Sequence, residues 1–191
     1  MNSIHSLQRK MKEWKSVQSS QWNEVRDLIA ALDTSQSLNI VSFFTYSLNI
    51  THAQGYDNYC LGSYHIKNIG TKPLINPYIC IKLSDESILE FSGKYLYKNF
   101  QKSIRVANAW ERLNESTDKQ EFWLRPTHTQ ILNPFETLTF PNFQIKWNPE
   151  DTYSESIQGF TYGDELSNGQ NSLNTIHING SIQLREGEED E

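Results

Sequence analysis

The feature that most constrains this chain is a change of hydrophobic period near residue 36. From residue 3 to residue 32, apolar side chains recur at alternating steps of three and four: Ile4, Leu7, Met11, Trp14, Val25, Leu28 and Leu32. That spacing places them on one face of an α-helix. The same register passes through Gln18 and Gln21, and Val17 and Trp22 flank this polar gap. No Pro or Gly occurs before Gly55, Ser3 is positioned as an N-cap, and Asp33-Thr34-Ser35 supplies a stop. Beyond residue 36 the period becomes two. Phe44, Tyr46, Leu48 and Ile50 alternate with Thr45, Ser47 and Asn49, as in a strand with one wet face. A chain with this division has one long helix and then β-structure.

Strand-like runs with turn residues between them continue to the C-terminal region. They cover residues 59–69, 74–83 (interrupted by Pro77), 88–91, 121–124, 129–132, 136–147, 154–162 and 174–184. Turns are expected at Asn68 to Pro73, Ser84 to Ser87, Asn133-Pro134, Pro141-Asn142 and Asn148 to Asp151, and a polar loop over 163–174. Residues 92–120 carry many charged and amide side chains and read as a long crossover, with a helical turn or two over 107–113. About seven to nine short strands at such spacing predict a mainly β protein, an antiparallel immunoglobulin-like β-sandwich preceded by one long N-terminal amphipathic α-helix. The expected divisions are 1–34 for the helix, 37–184 for the sandwich and 185–191 for an acidic disordered tail.

Composition sets limits on function. Apolar residues make up 37% of the 191 residues and aromatic residues 12%, enough to build a core. Lys and Arg number 17 against 23 Asp and Glu, a net charge of −6, so a general nucleic-acid binder is not expected. Much of the acidity lies in the tail Arg-Glu-Gly-Glu-Glu-Asp-Glu at 185–191. No apolar run is long enough for a membrane span, and Lys10, Lys12, Glu13 and Lys15 interrupt any secretory signal. A cytoplasmic protein is expected, free or incorporated into a larger particle. Cys60 and Cys80 are too few for a disulfide framework or a metal site. Two buried thiols are favoured over a Cys60–Cys80 bridge. The glycosylation sequons at Asn49, Asn114 and Asn179 are no more than chance supplies in a chain so rich in Asn, Ser and Thr.

The stretch from Tyr64 to Ile79, Tyr-His-Ile-Lys-Asn-Ile-Gly-Thr-Lys-Pro-Leu-Ile-Asn-Pro-Tyr-Ile, resembles the strand–turn–strand of bacterial immunoglobulin-like conserved-repeat modules. Ile131 to Phe140 is similar to the Leu-x-Pro-Gly-Glu start of a later strand in those modules, with Phe135 where Gly is usual. The resemblance covers about 26 residues and implies a sandwich fold of the kind used for spacers, adhesion units and subunits of assemblies. It carries over no site.

No nucleophile elbow, phosphate loop, dinucleotide fingerprint, zinc-protease helix or calcium loop occurs in the sequence. The five histidines, at 5, 52, 65, 128 and 177, lie far apart, and His65 and His177 sit inside alternating strands. The acidic pairs Asp85-Glu86, Glu150-Asp151 and Asp164-Glu165 fall in turns and read as solvated. No catalytic residue, metal or cofactor is expected, and a metal-free hydrolase is the remote alternative. The leading reading is a non-enzymatic protein-interaction or assembly protein. Its helix face would bind protein, either another copy or a different chain, or would pack in a groove on the sandwich. The runner-up is a carbohydrate-binding module that uses exposed aromatic side chains, with Trp110 and Trp123 as the candidate ligand face.

Overall fold

The computed structural model describes residues 2–34, 37–51, 55–97 and 109–181, and the helix side chains from residue 9 to residue 27. The acidic tail, and Ile182 and Leu184 at the end of the last alternating run, lie outside the described residues. The chain forms two compact units, Met1–Ser37 and Leu38–Glu191.

The first unit is α1, Asn2–Thr34, an unbroken helix of 33 residues. Its first turn has no acidic residue and its last turn no basic one, so no side chain offsets the helix dipole at either end. The second unit is a mainly antiparallel β-sandwich. β1 (Ile40–Asn49) and β2 (Asn58–Asn68) form a hairpin. β3 (Leu74–Ile75) and β4 (Tyr78–Leu83) are one apolar run, broken where Asn76 takes φ +49° ahead of Pro77. β5 (Glu90–Ser92), β6 (Tyr95–Tyr97) and β7 (Trp110–Arg112) are short. β8 (Glu121–Pro126), β9 (Ile131–Leu132), β10 (Thr137–Trp147), β11 (Tyr153–Gly163), β12 (Leu166–Asn171) and β13 (Ile176–Gly180) complete the order.

One sheet runs β1-β2-β10-β5. The other runs β12-β11-β4-β8-β7-β6, with β13 also paired to β11, and β3 pairs with β9. Among the described residues every strand pair is antiparallel except β6 with β7, which is parallel.

Three local expectations are corrected. Residues 166–171, read as loop, form β12. It lies at a sheet edge with no fully buried position, so Leu-Ser-Asn-Gly-Gln-Asn shows no apolar period. Residues 110–112, read as helical, form β7, which is too short to display any period. Pro141-Asn142 is a bulge inside β10 and not a turn between strands. The register against β2 shifts between Phe140 and Phe143, and Asn142 takes φ +54°. The bulge turns both Phe140 and Phe143 into the core, although their spacing of three would otherwise put them on opposite faces. Phe135 adopts φ +65° and is exposed.

The core is aromatic. Phe44, Tyr64, Phe91, Trp110, Phe122, Phe140, Phe143 and Trp147 lie in it with Ile66, Ile79, Ile81, Leu124 and Ile145. Tyr64 of β2 reaches across to β11, where its hydroxyl meets Thr161 Oγ1 at 3.0 Å, and it donates to Ser42 Oγ at 2.9 Å. Room for the rings comes from missing side chains. A Cβ on Gly159 would collide with Tyr64 Cε2 and lie 2.8 Å from Phe44 Cζ, and one on Gly62 would lie 2.5 Å from Phe143 Cζ. Both partners of Gly159 are buried rings with no free direction to move. Gly159→Ala is therefore expected to destabilise the sandwich by about 1–3 kcal/mol. In a thermal melt followed by circular dichroism, the midpoint should fall by roughly 2–4 °C per kcal/mol at this chain length. An unchanged midpoint would contradict the packing described.

Candidate functional site

The helix carries the first candidate surface. At 100° per residue, Met11, Trp14, Val17, Trp22 and Val25 fall within an arc of roughly 140°. Arg9, Lys12, Glu13, Ser16, Ser20, Asn23 and Asp27 occupy the opposite side by the same count. The five apolar side chains are open to solvent: Trp14 is 78% exposed, Trp22 64% and Met11 61%. Arg9 and Glu13 make an i, i+4 ion pair at 3.8 Å, also exposed. Of the residues expected on this face, Met11, Trp14 and Val25 are described and exposed. Ile4, Leu7, Leu28 and Leu32 belong to α1, but their side chains lie outside the described set.

The second surface is on the sandwich, on the side of β4, β8 and β11 that faces away from the core. In register, Phe160, Cys80 and Trp123 form one row across the three strands. Tyr162 and Tyr78 form the next row, and Gln158, Lys82 and Glu121 the row on the other side. Tyr78 and Tyr162 are parallel to within 9° at 5.1 Å, and Trp123 lies 5.1 Å from Tyr162 and 6.2 Å from Tyr78. Tyr162 leans over the β12 backbone at Gly169, where an added Cβ would lie 2.6 Å from its Cζ. Each ring gives one face to the other. The Trp123 indole donates to Glu121 Oε2 at 2.9 Å, and Lys82 Nζ lies 3.3 Å from Glu121 Oε1. Arg125 and Glu111 add a second ion pair at 2.8 Å. The result is a half-buried aromatic cluster flanked by charge pairs.

The cluster has a floor. Cys80 shares the outer parity of Tyr78 and Lys82, yet it is only 2% exposed, with Phe160 and Trp123 in register on either side of it. Burial, with the Glu121 carboxylate nearby, pushes its thiol up to about 12. Cys60, in the core, is pushed up to about 11 by burial alone. Both cysteines are free. Burial also raises the Tyr162 phenol, with Cys80 and Tyr78 adding to the shift.

Trp110 does not belong to a ligand face. It is 2% exposed, stands edge-on to Phe140 at 5.4 Å, and donates its indole N–H to Thr139 O at 3.2 Å. It lines a cleft of about 350 Å³ with His128, Thr129 and Thr137, as part of the wall. A second cleft of about 360 Å³ lies beside Phe91, Tyr95, Tyr97 and Arg112. Arg112 is buried there with its guanidinium over Phe122 at 4.5 Å. It donates to Asn114 Oδ1 at 3.1 Å, to Glu121 O at 3.3 Å and to Asp118 O. Asp118 accepts from the Gln120 and Glu121 amides and from Asn114, and these bonds hold its carboxyl below the ordinary range. This network closes the β7–β8 connection.

Of the remaining candidates, His65 and one acidic pair make contacts that hold the sandwich, while the side chain of His5 and all of His52 lie outside the described residues. His65 stacks on Phe43 at 5.0 Å, with Nε2 at 2.9 Å from Thr45 Oγ1 and Nδ1 at 3.1 Å from Thr139 Oγ1, and burial lowers its pKa. Of the acidic pairs, Asp164 accepts from Asn76 Nδ2 and Glu165 from the Ile75 amide, which pins the β3 loop. Among the described residues no group of three or more His, Cys, Asp or Glu is placed to hold a metal, and no helix is long and apolar enough to cross a membrane.

Of this cluster, sequence reasoning named Trp123 alone as a candidate for a ligand face. It missed Tyr78 and Phe160 as members of the cluster. The usable signal was parity: in β4, Tyr78, Cys80 and Lys82 alternate with the core residues Ile79, Ile81 and Leu83.

No family model and no curated protein matches the chain. Among solved structures it is similar to a cohesin module from a Clostridium perfringens family 33 glycoside hydrolase. Identity is 8% and the TM-score 0.37, over 76% of this chain and 99% of that one. It is also similar to AvmM, which catalyzes macrocyclization in alchivemycin A biosynthesis, at 10% identity and a TM-score of 0.34, over 75% of this chain and 88% of that one.

The covered thiol gives a direct check on the cluster. Neither cysteine should react with a thiol reagent at mildly alkaline pH until the protein unfolds, because both thiols are buried and protonated. Trp123→Ala removes part of the roof, so labelling followed by peptide mass analysis should find Cys80 modified in the folded variant and Cys60 still protected. Equal protection of both in that variant would show that the rings are not what covers Cys80.

Proposed function

We propose that this chain is a non-enzymatic protein-interaction or assembly protein whose helix is the associating arm. The observation that carries the reading is the solvent-exposed stripe of Met11, Trp14, Val17, Trp22 and Val25. Burying one such side chain is worth about 1.5–3 kcal/mol. A helix without dipole compensation or a covered apolar face is marginal in water. The partner that fits first is a second copy. Met11, Trp14, Gln18, Gln21 and Val25 follow heptad seam spacing, and the two glutamines at seam positions fix register at some loss of stability. The non-enzymatic reading is supported by the way the cleft walls spend their polar groups on one another, as at Arg112, Asn114 and Asp118. Two free, buried thiols support a reducing, cytoplasmic setting.

The cluster of Tyr78, Trp123, Phe160 and Tyr162 supports a second interaction surface on the sandwich. Sugar stacking needs open ring faces, and Tyr78 and Tyr162 give theirs to each other. Stacked phenols beside Trp123, bordered by ion pairs, suit a protein surface better. The carbohydrate reading stays testable: a polysaccharide that raises the melting temperature, with the shift lost in Trp123→Ala, would favour it.

The helix reading is tested by equilibrium sedimentation of the full chain and of Trp14→Asp. Trp14 is exposed in the single chain, so the variant should fold. Loss of a central tryptophan from an interface costs about 2 kcal/mol or more, so self-association should weaken by roughly thirtyfold or more. An unaltered chain that is monomeric at high micromolar concentration would refute self-association through the helix and leave a different protein as its partner.

A further inference from the structure

β1 is an edge strand. β2 covers one side of it. On the other side, Gln170 Nε2 donates to Ile40 O at 2.9 Å and the Leu173 amide to Ser42 O at 2.7 Å. Asn174 completes the cover with two bonds to Phe44, accepting from its amide at 2.8 Å and donating to its carbonyl at 3.0 Å. Even-numbered residues of β1 therefore turn their peptide groups outward, and the cover ends at Phe44. Tyr46 and Leu48 continue the outward series, and among the described residues nothing bonds to their outward groups. Their side chains, 42% and 41% exposed, line the same stretch. Sheet edges are ordinarily protected by charge, proline or a bulge. Ile40–Asn49 contains no charged residue and no proline, and its register with β2 runs unbroken.

We propose that the open half of β1 pairs antiparallel with the same segment of a second copy, about a two-fold axis at Ser47. The parity of the strand selects this occupant and this axis. With Ser47 on the axis, Tyr46 of each copy lies opposite Leu48 of the other. Both residues face outward, so each pair exchanges two hydrogen bonds, and the Tyr and Leu side chains meet on one face. An axis at Tyr46 would direct Leu48 at Phe44, whose edge Asn174 already holds. An axis at Leu48 would direct Tyr46 at Ile50, beyond the end of the strand. Thr45, Ser47 and Asn49, on the other face, bring no like charges together across the axis. An uncharged edge offers a charged partner segment nothing to recognise, whereas it matches itself. This contact uses no residue of the helix, so it stands or falls separately from the helix reading.

The test is a cross-link. In a non-hydrogen-bonded antiparallel pair the two Cα atoms lie about 4.5 Å apart, within disulfide range. Ser47→Cys in the full chain should give a covalent dimer on mild oxidation, and buried Cys60 and Cys80 should not compete. Thr45→Cys is the control, since the two copies of residue 45 would lie ~14 Å apart across the same axis and should not link. Both positions are exposed, so both variants should fold. Ser47→Lys sets two like charges against each other and should lower the sedimentation coefficient. The Ser47→Cys link should persist in Trp14→Asp/Ser47→Cys. No link at residue 47, equal linking at 45 and 47, or loss of the link in the Trp14→Asp background would overturn the proposal. A chain whose edge takes a strand from a different protein would give the first of these results.

Discussion

The sandwich is organised around the line where Tyr64 crosses from one sheet to the other. The ring is wholly buried, and its hydroxyl, held by Ser42 on its own sheet and Thr161 on the facing one, ties the two layers at their centre. Burial holds the phenol above its ordinary pKa, so it remains a protonated donor. A ring this long needs an empty site opposite, and Gly159 supplies it in the strand that also carries Thr161. The same solution recurs at Gly62 beneath Phe143. The abundance of aromatic residues is thereby explained: the gap between the sheets is filled by a few large rings, with glycines where the facing strand must yield.

That solution also explains the bulge in β10. Phe140 and Phe143 must both face inward to continue the aromatic chain from Phe91 and Trp110, and regular alternation forbids it at their spacing. Pro141 and Asn142 take up the extra residue. Asn142 is one of the few residue types that accept a left-handed backbone, and Pro141 has no amide to leave unpaired.

How much of this was legible in the sequence follows from where each signal comes from. The long strands β1, β2, β10 and β11 span ten or eleven residues each, enough for an alternating stretch to show even where, as in β10, a bulge interrupts it. β12 was not legible, because it is wetted along an edge. β7 also escaped, and it explains the misplacement of Trp110. Trp110 shares its face with Arg112, and polarity alone sends an arginine-bearing face to solvent. Here the guanidinium is buried over Phe122 and spends its donors on Asn114 Oδ1 and two carbonyls, so the face carrying Trp110 is the inner one. Trp123, with the charged Glu121 and Arg125 on its side of β8, lies on the outer face as polarity suggests. Two tryptophans in similar strand contexts part company because one neighbouring charge is satisfied internally.

The surfaces left open differ in what they require of a partner. The helix stripe is broad and apolar and contains two tryptophans. Its contribution to association would come from area removed from water, and it constrains orientation weakly except through Gln18 and Gln21. The β1 edge offers little area but fixes direction and register through peptide groups at Tyr46 and Leu48. A contact of the first kind can hold two chains together without specifying a lattice, and one of the second kind can specify geometry without holding chains strongly. A chain with a single self-matching contact stops at the dimer. If both surfaces pair copies, each through its own two-fold axis, every copy has two neighbours and the assembly either closes into a ring of copies or continues as a chain. Which of these forms then depends on the angle between the two axes.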